Sequence, residues 1–425
     1  MKELNIALLG LGTVGSGVVK IIEENRQQIK DTINKDIVIK HILVRDKSKK
    51  RPLNISQYHL TEDIDEILGD ESIDIVVEVM GGIEPTVDWL RTALKKKNVI
   101  TANKDLLAVH LKLLEDLAES NGVALKFEAS VAGGIPIVNA INNGLNANNI
   151  SKFMGILNGT SNFILSKMTR EQTNFEDALD EAQRLGFAEA DPTDDVEGVD
   201  AARKVVITSY LSFNQVIKLN DVKLTGISGT TLSDINAADQ LGFKIKLIGK
   251  GTYENGHVHA SVEPTLIHKT HQLAAVENEY NAIYVVGDAV GDTMFYGKGA
   301  GSLATGSAVV SDLLNVALFF ESNLHTLPPH FELKTDETRE MMDGEEPVVI
   351  QEKLNYYVVL QNNQLTVEKI ENDIKAQLPL HKSLQIVERD DNTVAVIITG
   401  LDQSPENVLN KSGYEVEKIY PVEGV

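Results

Sequence analysis

The densest grouping of reactive side chains lies at 182–204, where Glu189, Asp191, Asp194, Asp195, Glu197 and Asp200 fall within twelve positions and Lys204 follows four residues after the last. Residues four apart share a helix face, so Asp200 can hold the Lys204 ammonium in position. Carboxylates and amines at such spacing are acid–base groups. The same composition also describes a solvated acidic loop ending in a surface ion pair, and spacing alone does not separate the two. A calcium loop is excluded, because the acids do not follow the EF-hand spacing and Pro192 interrupts them.

A second constellation is Gly10, Gly12 and Gly15, a G-x-G-x-x-G pattern made by Gly10, Leu11, Gly12, Thr13, Val14 and Gly15. It lies between an apolar strand pattern at 4–9 and a helical stripe formed by Val14, Val18, Val19, Ile21 and Ile22. In that context the first glycine permits a tight turn, the second lets backbone approach a pyrophosphate, and the third lets helix and strand pack closely. Unpaired N–H groups of Thr13 and Val14 at the helix start can receive phosphate oxygens. The second strand ends at Val44-Arg45-Asp46. A guanidinium fork there matches a 2'-phosphate and favours NADP over NAD, while the adjacent Asp46 could instead bind a free ribose.

The elements that position these groups follow from periodicity. Strand patterns at 4–9, 37–44, 73–80, 99–101 and 123–127 alternate with helical ones, including 87–97 and 105–120, which predicts a Rossmann-type doubly wound parallel sheet over residues 1–140. Residues 141–300 read as an α+β domain, with helices near 160–168, 174–185 and 199–213 and strands at 153–157, 261–267 and 281–290. The turn at 297–302 opens a helix, 301–320, that can return to the first domain. Residues 321–348 carry Pro328, Pro329 and Pro347 with little periodicity and read as a linker. Residues 349–425 suggest a small βαββαβ module.

Composition narrows the function classes. At 425 residues and 46.6 kDa the chain should hold two or three domains. Its 42% hydrophobic and 24% charged residues describe a globular protein, and a net charge of −22 argues against nucleic acid and anionic membranes as partners. With no cysteine there is no disulfide, thiolate metal site or cysteine nucleophile. The uncharged run at 4–19 is punctuated by Gly10, Gly12, Gly15 and Gly17 and preceded by Glu3, unlike a secretory signal. No other uncharged run approaches the ~18 residues of a membrane span, so a cytoplasmic location is expected.

The segment 182–204 resembles the signature of homoserine dehydrogenases in Ala182, Gly186, Asp191-Pro192, Asp195-Val196, Gly198, Asp200 and Lys204. TANKD around Lys104, EASVAGGIPIV from Glu128, NGTSNFIL from Asn158 and GKGAGSLAT from Gly297 agree in chain order, so the resemblance covers residues 1 to about 320. One departure is Ala304, where the family often has proline. The resemblance implies reduction of L-aspartate 4-semialdehyde to L-homoserine by NAD(P)H in threonine, methionine and isoleucine biosynthesis. It implies that Lys204 transfers the proton, that Lys104 lies close to nicotinamide and substrate, and that Gly186 and Gly301 join the cofactor-binding residues. Glu189, Asp195 and Asp200 are implied to receive the substrate ammonium and organise the lysines, and Thr160 to contact substrate.

Glu128 and the following loop resemble the family's monovalent-cation site, which implies sodium held by the Glu128 carboxylate and the carbonyls of Val131, Gly133 and Ile135. The family further suggests a homodimer or tetramer through the second domain. The last module resembles an ACT domain and suggests L-threonine as an inhibitor, although Gln361, Asn362, Asn363 and Gln364 replace the usual D-x-P-G turn. Because the chain opens on the nucleotide fold, no aspartate kinase is expected upstream. An acylating semialdehyde dehydrogenase is excluded by the missing cysteine. A non-catalytic NAD(P)-binding regulator on the same fold is the alternative, against which Lys104, Asp200 and Lys204 argue.

Overall fold

The computed structural model describes residues 3–51, 53–321, 353–361, 366–390 and 392–424. The expected linker at 321–348, apart from Glu321, and the altered turn at 362–364 lie outside the described residues. Strands β1 (Glu3–Leu9), β2 (Asp36–Leu43), β3 (His59–Thr61), β4 (Ile75–Glu78), β5 (Asn98–Thr101) and β6 (Leu125–Lys126) form a parallel sheet in the order β3-β2-β1-β4-β5-β6. Ile6, Leu8, Val76, Val77, Val99 and Ile100 are fully buried, as strands covered by helices on both faces require. The order reverses between β1 and β4, so the crevice beyond their carboxyl ends is the sheet's switch point. Gly10 sits there. Strand β3 was not anticipated: His59-Leu60-Thr61 sets one apolar residue between two polar ones and offers no apolar run to mark a strand.

Helix Ser302–Glu321 packs along helix Thr13–Glu24, and Val309, Leu313, Val316 and Ala317 share a core with Val18, Val19 and Ile22. The close crossing depends on Gly17, where an added Cβ would lie 2.0 Å from the Ser302 carbonyl oxygen.

A second sheet combines β7 (Ile150–Ile156), β8 (Lys223–Leu224), β9 (Phe243–Glu254), β10 (His257–His268), β11 (Tyr280–Gly287) and β12 (Gly291–Lys298) with β13 (Leu354–Gln361), β14 (Ser383–Asp390), β15 (Thr393–Leu401) and β16 (Val416–Glu423). Its order is β12-β11-β7-β9-β10-β16-β13-β15-β14, with β8 beside β10. The last four strands and the helices Val367–Gln377 and Glu406–Lys411 follow the expected βαββαβ order. What the sequence did not suggest is the junction, where β16 runs parallel to β10 through Leu266↔Val422 and Ile267↔Glu423. Two ion clusters flank it. Glu423 receives Lys250 at 2.6 Å and Lys152 at 2.9 Å, and the fully buried Asp234 receives Arg389 Nε at 2.8 Å together with Lys418. Among the described residues no helix is long and apolar enough to cross a membrane.

Candidate active site

The nucleotide turn is built by steric exclusion. Gly10 has φ +105, its N–H donates to the Leu43 carbonyl at 3.0 Å, and a Cβ on Gly15 would lie 2.2 Å from the Gly10 oxygen. Gly12 has nothing within 4 Å of where its Cβ would be, and no side chain caps the helix that starts at Thr13. The first turn of that helix is therefore open to an anion, and it contains no acidic residue to repel one. Leu11 and Val14 pack against the apolar core below. Gly301, at φ +125, starts helix Ser302–Glu321 beside this turn, where the Ser302 hydroxyl donates to the Thr13 carbonyl at 2.7 Å. Arg45 is exposed at the carboxyl end of β2, and Asp46 is turned into its own loop, accepting from Ser48 N at 2.7 Å and Ser48 Oγ at 2.6 Å.

The acidic segment divides. Asp191 and Asp194 are exposed and serve local structure, the first with Thr193 and the second with Arg203 at 2.6 Å. Asp200 and Lys204, on helix Val199–Phe213, are both only 8% exposed, so the solvated-loop reading fails for them. Lys204 Nζ donates to Asp200 Oδ2 at 2.7 Å and to the Leu157 carbonyl at 2.6 Å. The other oxygen of Asp200 faces Lys104 Nζ at 3.3 Å. Lys104 opens helix Lys104–Asn121, whose start is fixed by the Asn103 carboxamide accepting from Leu106 N at 3.1 Å. Arg203 ties the two helices together through Asp105 at 2.9 Å. One buried carboxylate thus spans two lysines, one from each sheet system.

Asn158 completes the cluster. Its Oδ1 accepts from Ser161 N at 2.8 Å and caps helix Gly159–Glu171, while its Nδ2 donates to Asp195 at 2.6 Å and Asp200 at 2.8 Å. Thr160, two residues on, donates its hydroxyl to the Phe187 carbonyl at 2.7 Å. Gly186, at φ +80, ends helix Phe175–Leu185 and leads the chain into that contact. Glu189 stands apart: it is exposed, Gln183 Nε2 holds its main-chain carbonyl at 3.0 Å, and no hydrogen bond joins its carboxylate to the cluster among the described residues.

Charge follows from this geometry. Burial works to raise the Asp200 carboxyl, but Lys204, Lys104 and the Asn158 amide outweigh it and hold the group far below the usual carboxylate range. Burial, helped by the charge on Asp200, pushes Asp195 up despite the Asn158 amide. For Lys104 burial pulls downward, and Asp200 and Asp105 more than compensate, keeping the amine protonated above its ordinary range. The site therefore presents two lysine side chains tethered to one permanently charged carboxylate, an arrangement able to deliver a proton to an oxygen and to stabilise negative charge on it.

The loop after Glu128 is a separate buried acidic site. Glu128 accepts from Val138 N at 2.9 Å and Asn139 N at 2.7 Å, and its own N–H donates to Asp312 at 2.8 Å. Both carboxyls are less than 5% exposed, and neither forms an ion pair with a lysine or arginine among the described residues. Burial pushes both up, Asp312 to about 7. Two such groups without a basic partner suit a cation with oxygen ligands. Val131, Gly133 and Ile135 follow on the same loop, with Ala132 and Gly133 at φ +51 and +50.

Residues 10–128, 136–314 and 353–425 match the family models described as homoserine dehydrogenase, NAD binding domain; homoserine dehydrogenase; and homoserine dehydrogenase C-terminal domain. The homoserine dehydrogenase of Bacillus subtilis (strain 168) is 50% identical over 317 residues, 74% of this chain and 73% of that one. The crystal structure of S. aureus homoserine dehydrogenase at pH 7.5 is 78% identical with a TM-score of 0.85, covering 100% of both chains. That of a homoserine dehydrogenase from Thiobacillus denitrificans is 35% identical with a TM-score of 0.87, over 100% of this chain and 99% of that one.

Proposed function

The chain belongs to the homoserine dehydrogenase family of NAD(P)-dependent oxidoreductases, and on that premise we propose how its side chains carry out the reaction. The substrate pair is L-aspartate 4-semialdehyde and L-homoserine. NADPH, when bound, supplies the hydride that reaches the aldehyde carbon. Lys204 gives its proton to the alkoxide oxygen that develops, and Lys104 places a second positive charge beside it. Asp200 fixes both lysines, Asp195 receives the substrate ammonium from within the cluster and Glu189 from its exposed rim, and Thr160 borders the substrate. The observation that carries this reading is the single Asp200 carboxylate between Lys204 at 2.7 Å and Lys104 at 3.3 Å. Purified protein should consume NADPH in step with aspartate semialdehyde and accumulate homoserine; no consumption at high enzyme concentration would instead make the chain a non-catalytic nucleotide-binding regulator.

NADP is the preferred cofactor in this reading. Gly10, Leu11, Gly12, Thr13, Val14 and Gly15 receive the pyrophosphate with Gly301 alongside, and Arg45 grips the 2'-phosphate. Lys47, Lys49, Lys50 and Arg51 crowd the same loop with positive charge. Arg45→Ala should raise KM for NADPH by about tenfold, the order expected for a charge-assisted hydrogen bond, with KM for NADH almost unchanged. Equal losses for both cofactors would make Arg45 a structural residue.

Proton bookkeeping sets the pH dependence. Reduction takes up a proton and oxidation releases one, so homoserine oxidation needs a neutral amine. That amine is Lys204, the group that takes the proton back, so the oxidation rate should keep climbing into alkaline pH while reduction does not. Lys104, held charged against the pull of burial and above its ordinary range by Asp200 and Asp105, keeps its positive charge in both directions. Profiles of kcat in the two directions test this, and superimposable curves would contradict it.

Sodium is the proposed occupant of the loop formed by Glu128, Val131, Gly133 and Ile135, where it would neutralise buried carboxylate charge and brace the junction with Asp312. The protein acts in the cytoplasm as a homodimer or tetramer assembled through its second domain. The C-terminal module is ACT-like, and L-threonine is its candidate ligand.

A further inference from the structure

We propose that His41, His59 and Glu66, with Asp70 behind His41, form a binding site for a divalent transition-metal ion of the zinc class, at the edge of the cofactor-binding sheet and apart from catalysis. Strands β2 and β3 pair in parallel with His41 and His59 as direct register partners, so both imidazoles leave the sheet side by side. Their ring centroids are 5.1 Å apart at an interplanar angle of 85°. Glu66, on the short helix Asp65–Leu68, brings Oε2 to 3.2 Å from His59 Nε2. One ligand atom from each of His41, His59 and Glu66 lies within 4.8 Å of the other two. A tetrahedral zinc ion with bonds of about 2.0–2.1 Å holds its ligand atoms about 3.3 Å apart, so the side chains close in by up to about 1.5 Å when the ion binds.

The hydrogen bonding of His41 separates this reading from two unrelated histidine–carboxylate pairs. His41 Nε2 lies 3.0 Å from Asp70 Oδ2, and Asp70 is itself oriented by Ser72 N at 2.9 Å and Ser72 Oγ at 2.6 Å. An imidazole that donates one N–H to a carboxylate keeps a lone pair on its other nitrogen, the arrangement that orients metal-bound histidines. His41 Nδ1 is buried and has no hydrogen-bond partner. Two independent ion pairs would leave that atom unsatisfied at a cost of about 1–3 kcal/mol, whereas a metal ion uses it. Two nitrogens and one carboxylate suit zinc, nickel or copper and not calcium or magnesium. The side chains of His59 and Glu66 are 57% and 46% exposed, so solvent can reach the ion and supply a fourth ligand.

Strand β3 is the sheet's edge, and the chain between β2 and β3 carries Arg45 and its basic neighbours. An ion shared by His41 and His59 therefore clasps both ends of that loop. The test is calorimetry with zinc chloride on the full-length protein, followed by thermal unfolding with and without the metal. Expected are saturable binding of one ion per chain and a higher Tm with zinc. Binding should weaken more than about tenfold in both His59→Ala and Glu66→Gln, each folded and with unchanged turnover in metal-free buffer. Cobalt should give the intense visible bands of a tetrahedral site in the wild type and lose them in both variants. Absence of saturable binding would overturn the proposal, and so would binding that both variants retain, which would place the ion on other histidines.

Discussion

Replacing Lys204 by alanine is expected to lower kcat for NADPH-dependent reduction about a thousandfold, within the range that a positioned acid–base group contributes. NADPH affinity should be largely kept. Lys204 touches Asp200 and the Leu157 carbonyl, while the phosphate-receiving turn at Gly10–Gly15 belongs to the other sheet and has no hydrogen bond to Lys204 among the described residues. The protein should still fold, because Asp200 keeps Lys104 and Asn158 as partners. Steady-state kinetics with nucleotide binding measured in parallel decides the matter: near-normal kcat would remove Lys204 from the chemistry, and a matching loss of NADPH affinity would make it structural.

The largest effect on stability is expected at the junction of the C-terminal module. Asp234 is fully buried and accepts from Arg389 Nε at 2.8 Å, Thr231 N at 2.9 Å, Thr231 Oγ1 at 2.9 Å and Lys418. Arg389 and Lys418 belong to β14 and β16, so this one carboxylate fastens the module to the catalytic domain. Asp234→Ala takes the Lys418 ammonium's carboxylate away in a largely desolvated place, while Arg389 keeps Asp390 at 3.0 Å and Glu417 at 3.4 Å, so a loss of about 3 kcal/mol, the low end for a broken buried pair, is expected. Urea unfolding followed by tryptophan-independent probes such as far-UV CD should show a lower midpoint or an early, separate transition. An unchanged curve would mean that the β10–β16 pairing and the Glu423 cluster hold the module alone. Burial works to raise the Asp234 carboxyl, but Lys418, Thr231 and Arg389 hold it below its ordinary range. Its folded pKa is therefore depressed, so the stabilisation is present above the unfolded carboxyl value of ~3.9 and is lost as pH falls through the folded value.

Local chemistry was legible wherever a motif and its flanking period coincided. The glycines at 10, 12 and 15 between an apolar strand and an amphipathic helix pointed to the nucleotide turn, and the four-residue offset of Asp200 and Lys204 pointed to their contact. Asn158 carried no such signal: a lone asparagine becomes decisive only when a helix cap, a second helix and an acidic loop converge on its carboxamide. Glu189 shows the converse, since membership of an acidic run did not bring its carboxylate to the others once Gly186 had turned the chain. The His41 and His59 pair depended on β3, whose single apolar residue, Leu60, gives no run to detect. The β10–β16 junction was invisible for another reason, because it joins segments about 155 residues apart and each strand alone is satisfied by its own module.

On the proposed mechanism Lys204 acts on the reacting oxygen and not on the nucleotide. A single-turnover measurement tests it most directly: enzyme saturated with NADPH is mixed rapidly with excess aspartate semialdehyde, and loss of the reduced nicotinamide signal is followed in wild type and in Lys204→Ala. The predicted result is rapid oxidation of bound NADPH in the wild type and a complex of equal NADPH affinity in the variant that stays reduced on the same timescale. Oxidation of bound NADPH by Lys204→Ala at the wild-type rate would contradict the claim.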